Sequence, residues 1–172
     1  KGTINAEVIT ETIKKAREKK IPIAVDPKRK YFSLYEGVSI FKVNVSDLKE
    51  GLKLDFDALD EKQLDEATEA LRSNVKAENY LLTLAKHGIF YSSGADSGKL
   101  SGHPRNIVEV LGAGDTVISL GGLCHTLGLP LEFTAELANL GGGLVCELAG
   151  TVPIDRNLLL SEARENPIRM KY

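Results

Sequence analysis

The chain has 172 residues, 42% of them apolar, and its 22 lysines and arginines nearly balance 24 aspartates and glutamates, leaving a formal charge of −2. This length and apolar content suit one globular domain with a buried core and exclude a disordered chain. The charge argues against nucleic acid or an anionic membrane as a partner, and the longest weakly charged stretch, residues 116–131, is short of the roughly 20 residues of a membrane span.

The first half of the chain predicts alternating helices and strands. Residues 6–19 and 60–75 carry apolar side chains at helical spacing. Four short apolar and β-branched runs predict strands, namely residues 21–25, 39–45, 80–84 and 88–91. Because helices separate several of the strands, the order predicts βαβ crossovers and an α/β fold whose mostly parallel sheet is flanked by helices.

The second half changes in composition. Residues 94–106 are rich in Gly and Ser and predict a loop or an edge hairpin. Residues 107–150 hold only five charged side chains, all acidic, and predict a strand over 107–111, a Gly-rich turn, a helix, a short turn and a second, strongly apolar helix over 131–149. A last short helix follows at 155–165, with Asp155 as its N-cap.

The Gly-rich turn is the motif that points to chemistry. Gly112, Ala113 and Gly114 precede Asp115, so two glycines allow a sharp turn whose backbone N–H groups, together with a helix N-terminus, favour an anion. A carboxylate beside bound phosphate can accept a proton from a hydroxyl, which suits phosphoryl transfer to an alcohol. The residues alone leave a second interpretation open, in which the turn is ordinary and Asp115 is an N-cap.

The run from Gly112 to Thr116 resembles the C-terminal signature of the ribokinase-like (PfkB) carbohydrate kinases. The resemblance implies a ribokinase-like fold, Asp115 as the catalytic base, and the amides of Gly112, Ala113 and Gly114 as an anion hole. It also implies ATP and Mg²⁺ as cofactors and a small sugar or sugar phosphate as the other substrate.

Other segments are similar to the same family in the same order. Asn44 and Asp47 resemble its Asn-x-x-Glu motif, which implies a role near Mg²⁺, through phosphates or water, and near the nucleotide. Thr83 and Gly88 resemble the ends of its Thr-x-Gly-x-x-Gly nucleotide loop, and Asn139 resembles an Asn of its adenine pocket. Read without the family, these residues suit a strand end, a hairpin turn and a satisfied polar residue on an apolar helix.

Within the family, the likeness is greatest to the D-glycero-D-manno-heptose-7-phosphate kinase domains of ADP-heptose synthesis. Asp26-Pro27-Lys28 after a strand and Gly-Ala-Gly-Asp-Thr-Val-Ile at residues 112–118 carry it. Lys28 is thereby a possible phosphate partner, with a solvated surface lysine as the alternative.

The chain also departs from the family pattern. Glu109 and Leu111 stand where many relatives have Asp and Thr near a monovalent cation, which argues against dependence on K⁺. Ala85 replaces a Gly, and Asp47 replaces a Glu. These departures support a competing interpretation, a nucleotide-binding regulatory domain of the same fold that has lost turnover.

The ends and the cysteines complete the expectations. Cys124 and Cys146 are too few for a disulfide scaffold and indicate the cytoplasm. The chain begins with Lys1 and its only methionine is Met170, which predicts a piece of a longer protein. By the resemblance, residues 1–172 would be the C-terminal, ATP-binding part of one sugar kinase domain, and an N-terminal part would hold the sugar site and a lid through which two copies would pair.

Overall fold

The computed structural model describes residues 3–165 as helices around one sheet. The helices in this range are α1 (Ala6–Glu18), α2 (Val45–Leu52), α3 (Glu61–Asn74), α4 (Ala113–Thr126), α5 (Leu131–Val145) and α6 (Arg156–Glu165), with shorter 3-10 helices at Arg29–Leu34 and Ala85–His87. The strands are β1 (Ala24–Val25), β2 (Ile40–Asn44), β3 (Asn79–Thr83), β4 (Ile89–Ser93) and β5 (Ser97–Leu100). None of the helices described is long and apolar enough to cross a membrane.

The five strands lie side by side in chain order and form a mixed sheet. β1, β2 and β3 are parallel, whereas β4 is antiparallel to both of its neighbours, so four of the five strands point the same way. The predicted α/β class, a mostly parallel sheet flanked by helices, is confirmed. The parallel strands bring the carboxyl ends of β1, β2 and β3 to one edge, where open α/β sheets bind their ligands.

Each face of the sheet is covered by its own helices. Phe41 and Tyr80 belong to a buried cluster that includes residues of α1, α2 and α3. Ile40 and Leu81 belong to a second cluster with residues of α4 and α5. Successive residues of a strand therefore serve opposite faces, as a sheet buried on both sides requires.

The segment before α4 is not the strand that its sequence predicts. Residues 107–111 pair with no described strand, and the N–H groups of Val108 and Glu109 instead donate to the carbonyl oxygen of Cys146, at 2.8 and 3.1 Å. A β-branched run becomes a strand only where a sheet edge is available to pair with it. Here the segment passes along the end of α5 and leaves Val110 68% exposed.

Other boundaries shift for local reasons. The hairpin predicted within residues 94–106 is present, because β5 pairs with β4. α5 ends at Val145, since Cys146 and the following residues form turns, so the predicted 131–149 is too long. α2 lies outside the predicted elements; it begins where Asn44 caps it after the strand. Asp155 does accept a hydrogen bond from Leu158 N at 2.8 Å, as its predicted capping role requires.

Candidate active site

The N-terminus of α4 forms the turn that the glycines predict. Gly112 is the N-cap, with a φ of 80° that favours glycine and with no side-chain cap. Its carbonyl oxygen accepts the N–H of Thr116 at 2.9 Å, which starts the helix. The first N–H groups of a helix have no carbonyl partner within it, and here they belong to Ala113, Gly114 and Asp115. This end of the helix can therefore bind an anion.

Asp115 is the acidic residue of the first turn of α4, and it is exposed. A carboxylate at this place is stabilised by the helix dipole and remains open to a second substrate. The helix begins without any side-chain cap, so Asp115 is not the N-cap that the alternative interpretation requires. Its position fits a base beside bound phosphate.

An ion pair between a buried lysine and a more exposed aspartate lies beside this turn. Lys42 Nζ is 2.6 Å from Asp26 Oδ2, and the two side chains are 4% and 27% exposed. A Cβ built on Gly114 would lie 2.9 Å from that nitrogen and 3.5 Å from that oxygen, so the glycine leaves room for the pair. Neither Lys42 nor Asp26 is among the predicted site residues. The signals that identify them are a lysine inside an apolar strand run and an aspartate just after β1.

Asn44 and Asp47 are joined at the carboxyl end of β2. Asn44 Oδ1 accepts the N–H of Asp47 at 2.8 Å, and Asn44 Nδ2 donates to Asp47 Oδ2 at 2.8 Å. Asn44 thus ends the strand and caps α2, which gives the motif a structural role of its own. Among the described residues, no group of three or more His, Cys, Asp or Glu is placed to hold a metal.

The Thr83–Gly88 loop contains two residues with positive φ. Thr83 lies opposite Asn44 in the register of β2 and β3, so two predicted site residues are neighbours at the sheet edge. Ala85 has a φ of 52°, a left-handed conformation that costs less energy for glycine than for a residue with a Cβ. Gly88 has a φ of 101°, and a Cβ there would collide with the carbonyl oxygen of Leu100. The loop is a turn that only glycine can close at Gly88.

Asn139 lies on α5, and Lys28 lies in the segment after β1. Asn139 Nδ2 donates to the carbonyl oxygen of Ser101 at 2.9 Å and so ties α5 to the segment after β5. Lys28 is exposed at the start of the 3-10 helix after β1. The neighbouring Gly141 and Gly142 pack against Leu120 and Val117 of α4 and serve the contact between the helices.

The segment before the turn at Gly112 is held by two further contacts. Arg105 pairs with Glu147 at 3.2 Å and with Glu162 at 2.6 Å. Burial lowers the pKa of the Arg105 guanidinium, but the hydrogen bonds and charges of the two glutamates outweigh this effect and raise it. The side chain thus stays charged and joins the loop to the turn after α5 and to α6.

A family model described as pfkB family carbohydrate kinase matches residues 2–156. The bifunctional protein HldE of Syntrophotalea carbinolica is 31% identical over 159 residues, which cover 90% of this chain and 31% of that protein. HldE of Methylobacillus flagellatus is 34% identical over 164 residues, covering 94% of this chain and 33% of the relative. This chain therefore spans about a third of the length of these relatives.

Solved structures show the same fold. A point mutant of phosphofructokinase-2 from Escherichia coli superposes with a TM-score of 0.83 at 15% identity, covering 98% of this chain and 54% of the enzyme. Ribokinase of Arabidopsis thaliana, solved with ribose and ATP, gives a TM-score of 0.78 at 17% identity over 92% of this chain and 52% of the enzyme. The predicted ribokinase-like fold is confirmed.

Proposed function

Because the chain belongs to the pfkB family of carbohydrate kinases, we propose that it carries the phosphoryl-transfer machinery of a sugar kinase. The native protein would move the γ-phosphoryl group of ATP to a sugar hydroxyl. One observation carries the proposal: an uncapped helix N-terminus and the exposed carboxylate of Asp115 lie in the same turn. That arrangement binds a phosphate and deprotonates a hydroxyl next to it.

The reaction follows from these groups. Asp115 accepts the proton of the sugar hydroxyl while the hydroxyl oxygen forms a bond to the γ-phosphorus of ATP. The bond between that phosphorus and the β–γ bridging oxygen breaks, and ADP leaves with the electron pair. The N–H groups of Ala113, Gly114 and Asp115 donate to the phosphoryl oxygens while charge builds on them. Gly112 supplies the backbone turn that directs them.

The remaining predicted residues serve the nucleotide in this proposal. Thr83, Gly88 and Asn139 would line its binding site, with Lys28 as an outer phosphate partner. Asn44 and Asp47 would hold Mg²⁺ through water or phosphate, since Asp47 offers carboxylate oxygens at the sheet edge and Mg²⁺ needs few protein ligands. The ion, when bound, neutralises phosphate charge.

For the sugar we propose D-glycero-D-manno-heptose 7-phosphate, phosphorylated to the 1,7-bisphosphate. Two findings support it: the resemblance of Asp26-Pro27-Lys28 and of residues 112–118 to that subfamily, and about one-third identity with HldE proteins. We place the reaction in the cytoplasm, where ATP is available and the free thiols of Cys124 and Cys146 stay reduced.

We also propose that residues 1–172 form the nucleotide side of a larger kinase domain, inactive alone, whose sugar site and lid lie elsewhere in the native protein. Exposed apolar side chains beside the edge strand β1 support this. Within residues 3–165 no strand pairs with the outer side of β1, Ile21 just before it is 55% exposed, and Leu123 and Leu127 on α4 are 57% and 66% exposed. A further β-strand region would cover these side chains, and the lid would join two copies.

The test is ATP consumption with Mg²⁺ by the protein expressed at its full native length, against a panel of free and phosphorylated sugars. Asp115→Asn should lower kcat by about 10² to 10⁴-fold while ATP binding persists. Asp65→Asn, an exposed carboxylate on α3 across the sheet, is the matched control and should leave kcat unchanged. Turnover that survives Asp115→Asn would overturn the assigned base, and turnover on another sugar would replace only the heptose.

A second candidate function is a regulatory domain that binds nucleotide without turnover. The mutual hydrogen bonds of Asn44 and Asp47 favour it, because they occupy side-chain atoms that a metal site would use. ATP binding by the native protein with no Asp115-dependent transfer to any sugar would select this function.

A further inference from the structure

We propose, on the basis of the proposed function, that Lys42 is a catalytic residue of this site and that Asp26 is its positioning residue. The ammonium of Lys42 binds a phosphate oxygen of ATP next to the first turn of α4. Asp26 holds that ammonium in place, with Nζ and Oδ2 2.6 Å apart.

The location of the ammonium is the first argument. Nζ would be 2.9 Å from a Cβ on Gly114, so it lies against the backbone whose N–H groups form the anion hole. Lys42 lies in β2, two residues from both Ile40 and Asn44, near the carboxyl edge of the parallel strands. A phosphate that accepts hydrogen bonds from α4 would therefore lie within the field of this charge.

The burial of the charge is the second argument. The side chain is 4% exposed in a strand whose other buried positions are apolar, and burying an ammonium costs several kcal/mol that a single ion pair does not reliably offset. An apolar side chain of similar volume at this place would be neutral or stabilising for the fold. Folding therefore gives no reason for a lysine here, whereas binding of a polyanion does.

The unused donors are the third argument. An ammonium has three N–H donors, and Asp26 takes one of them. Within residues 3–165 no second acceptor lies within hydrogen-bond distance of Nζ. The remaining donors, next to the positive end of a helix and balanced by a single carboxylate, suit the several negative charges of a nucleotide triphosphate.

The experiment separates phosphate binding from a structural role. Lys42→Met, Asp26→Asn and the double variant are made in the protein at its native length, with Lys49→Met as the control. Lys49 also pairs with an aspartate, at 3.0 Å from Asp55, but it lies on α2 across the sheet from α4. Three quantities are measured for each: the urea midpoint of unfolding, the Kd values of Mg·ATP and of adenosine, and kcat.

We expect Lys42→Met to weaken Mg·ATP at least tenfold and to lower kcat at least a hundredfold, with adenosine binding within twofold of wild type. The double variant, which removes both charges, should recover the urea midpoint but not the Mg·ATP affinity or kcat. Asp26→Asn should lower kcat less than Lys42→Met. If the double variant recovers kcat together with stability, the pair is only structural and the inference is overturned.

The failure of the proposed function has a different signature. If the native protein binds Mg·ATP and phosphorylates no sugar, the kinase proposal fails, but the Kd values still test Lys42. An unchanged ratio of Mg·ATP to adenosine affinity in Lys42→Met would overturn the inference even where the kinase proposal holds. If the native protein binds Mg·ATP no more tightly than adenosine and transfers no phosphate, the kinase proposal and the inference about Lys42 both fail.

Discussion

Glu109 Oε2 accepts a hydrogen bond from the backbone N–H of Gly150 at 2.7 Å. This contact ties the segment before the turn at Gly112 to the loop after α5. The same loop continues to Thr151, whose Cγ2 would be 3.7 Å from a Cβ on Gly112. The carboxylate therefore fixes, from within the chain, two loops that meet at the start of α4.

We expect phosphoryl transfer by this protein not to depend on K⁺, because the Glu109 carboxylate already holds the two loops together. Replacing KCl by choline chloride at constant ionic strength should change kcat by less than about twofold, since screening of exposed charges is then held equal. Activation of several-fold by K⁺ would contradict this expectation.

Glu109→Ala should lower the free energy of unfolding by about 1 to 2 kcal/mol, since it removes a hydrogen bond to a charged acceptor. Glu109→Gln keeps an oxygen that can accept the same N–H and should lose less than half of that. Urea unfolding of both variants measures the difference. Equal losses would show that charge, and not the hydrogen bond to Gly150, is what matters.

Much of this site follows from the sequence because local geometry determines it. The turn at Gly112 and the capping of α6 by Asp155 depend on a few adjacent residues, and both are present. The Lys42–Asp26 pair depends on the register between β1 and β2, which no local pattern specifies. The strand expected over 107–111 fails for a similar reason, because strand formation depends on a free sheet edge elsewhere in the molecule.

Ala85→Gly should stabilise the protein. Ala85 holds a φ of 52°, and a left-handed conformation costs a residue with a Cβ about 1 kcal/mol relative to glycine. The greater freedom of glycine in the unfolded chain offsets part of this gain, so we expect a net increase of up to about 0.5 kcal/mol in the free energy of unfolding. Gly94→Ala is the control, because it makes the reverse replacement, glycine by alanine, at a place where a Cβ would meet nothing within 4 Å. A loss of stability in Ala85→Gly would show that the loop is not strained.

Arg105→Met should destabilise the segment before α4. The variant removes the ion pairs of Arg105 with Glu147 and Glu162, whose side chains are only 33% and 23% exposed, and so takes a positive charge away from both carboxylates. We expect a loss of about 2 to 3 kcal/mol, below the cost of breaking a fully buried pair. Arg105→Lys keeps the charge but not the two-armed geometry and should lose less. Thermal unfolding of both variants ranks their stabilities against wild type. Equal melting temperatures for Arg105→Met and wild type would refute the predicted destabilisation.

Tyr91 should make the protein sensitive to alkali. Burial, assisted by the charges of Asp96 and Glu132, raises the pKa of Tyr91 from 10.0 to about 12. The raised pKa means that the folded state holds the phenol proton more tightly than the unfolded state does. The resulting stabilisation is complete below pH 10 and is lost as the pH rises from 10 to 12, by up to about 2.7 kcal/mol at 1.36 kcal/mol per unit.

Tyr91→Phe removes the titrating group, so its free energy of unfolding should fall less steeply between pH 10 and 12 than that of wild type, the interval between the ordinary and the raised pKa of Tyr91. Tyr31→Phe, a half-buried tyrosine on the other face of the sheet, should leave the slope unchanged. Urea unfolding at three pH values in this range gives the slopes. Because linkage fixes the sign, a Tyr91→Phe variant with the same slope as wild type would show that the phenol titrates at an ordinary pH despite its burial.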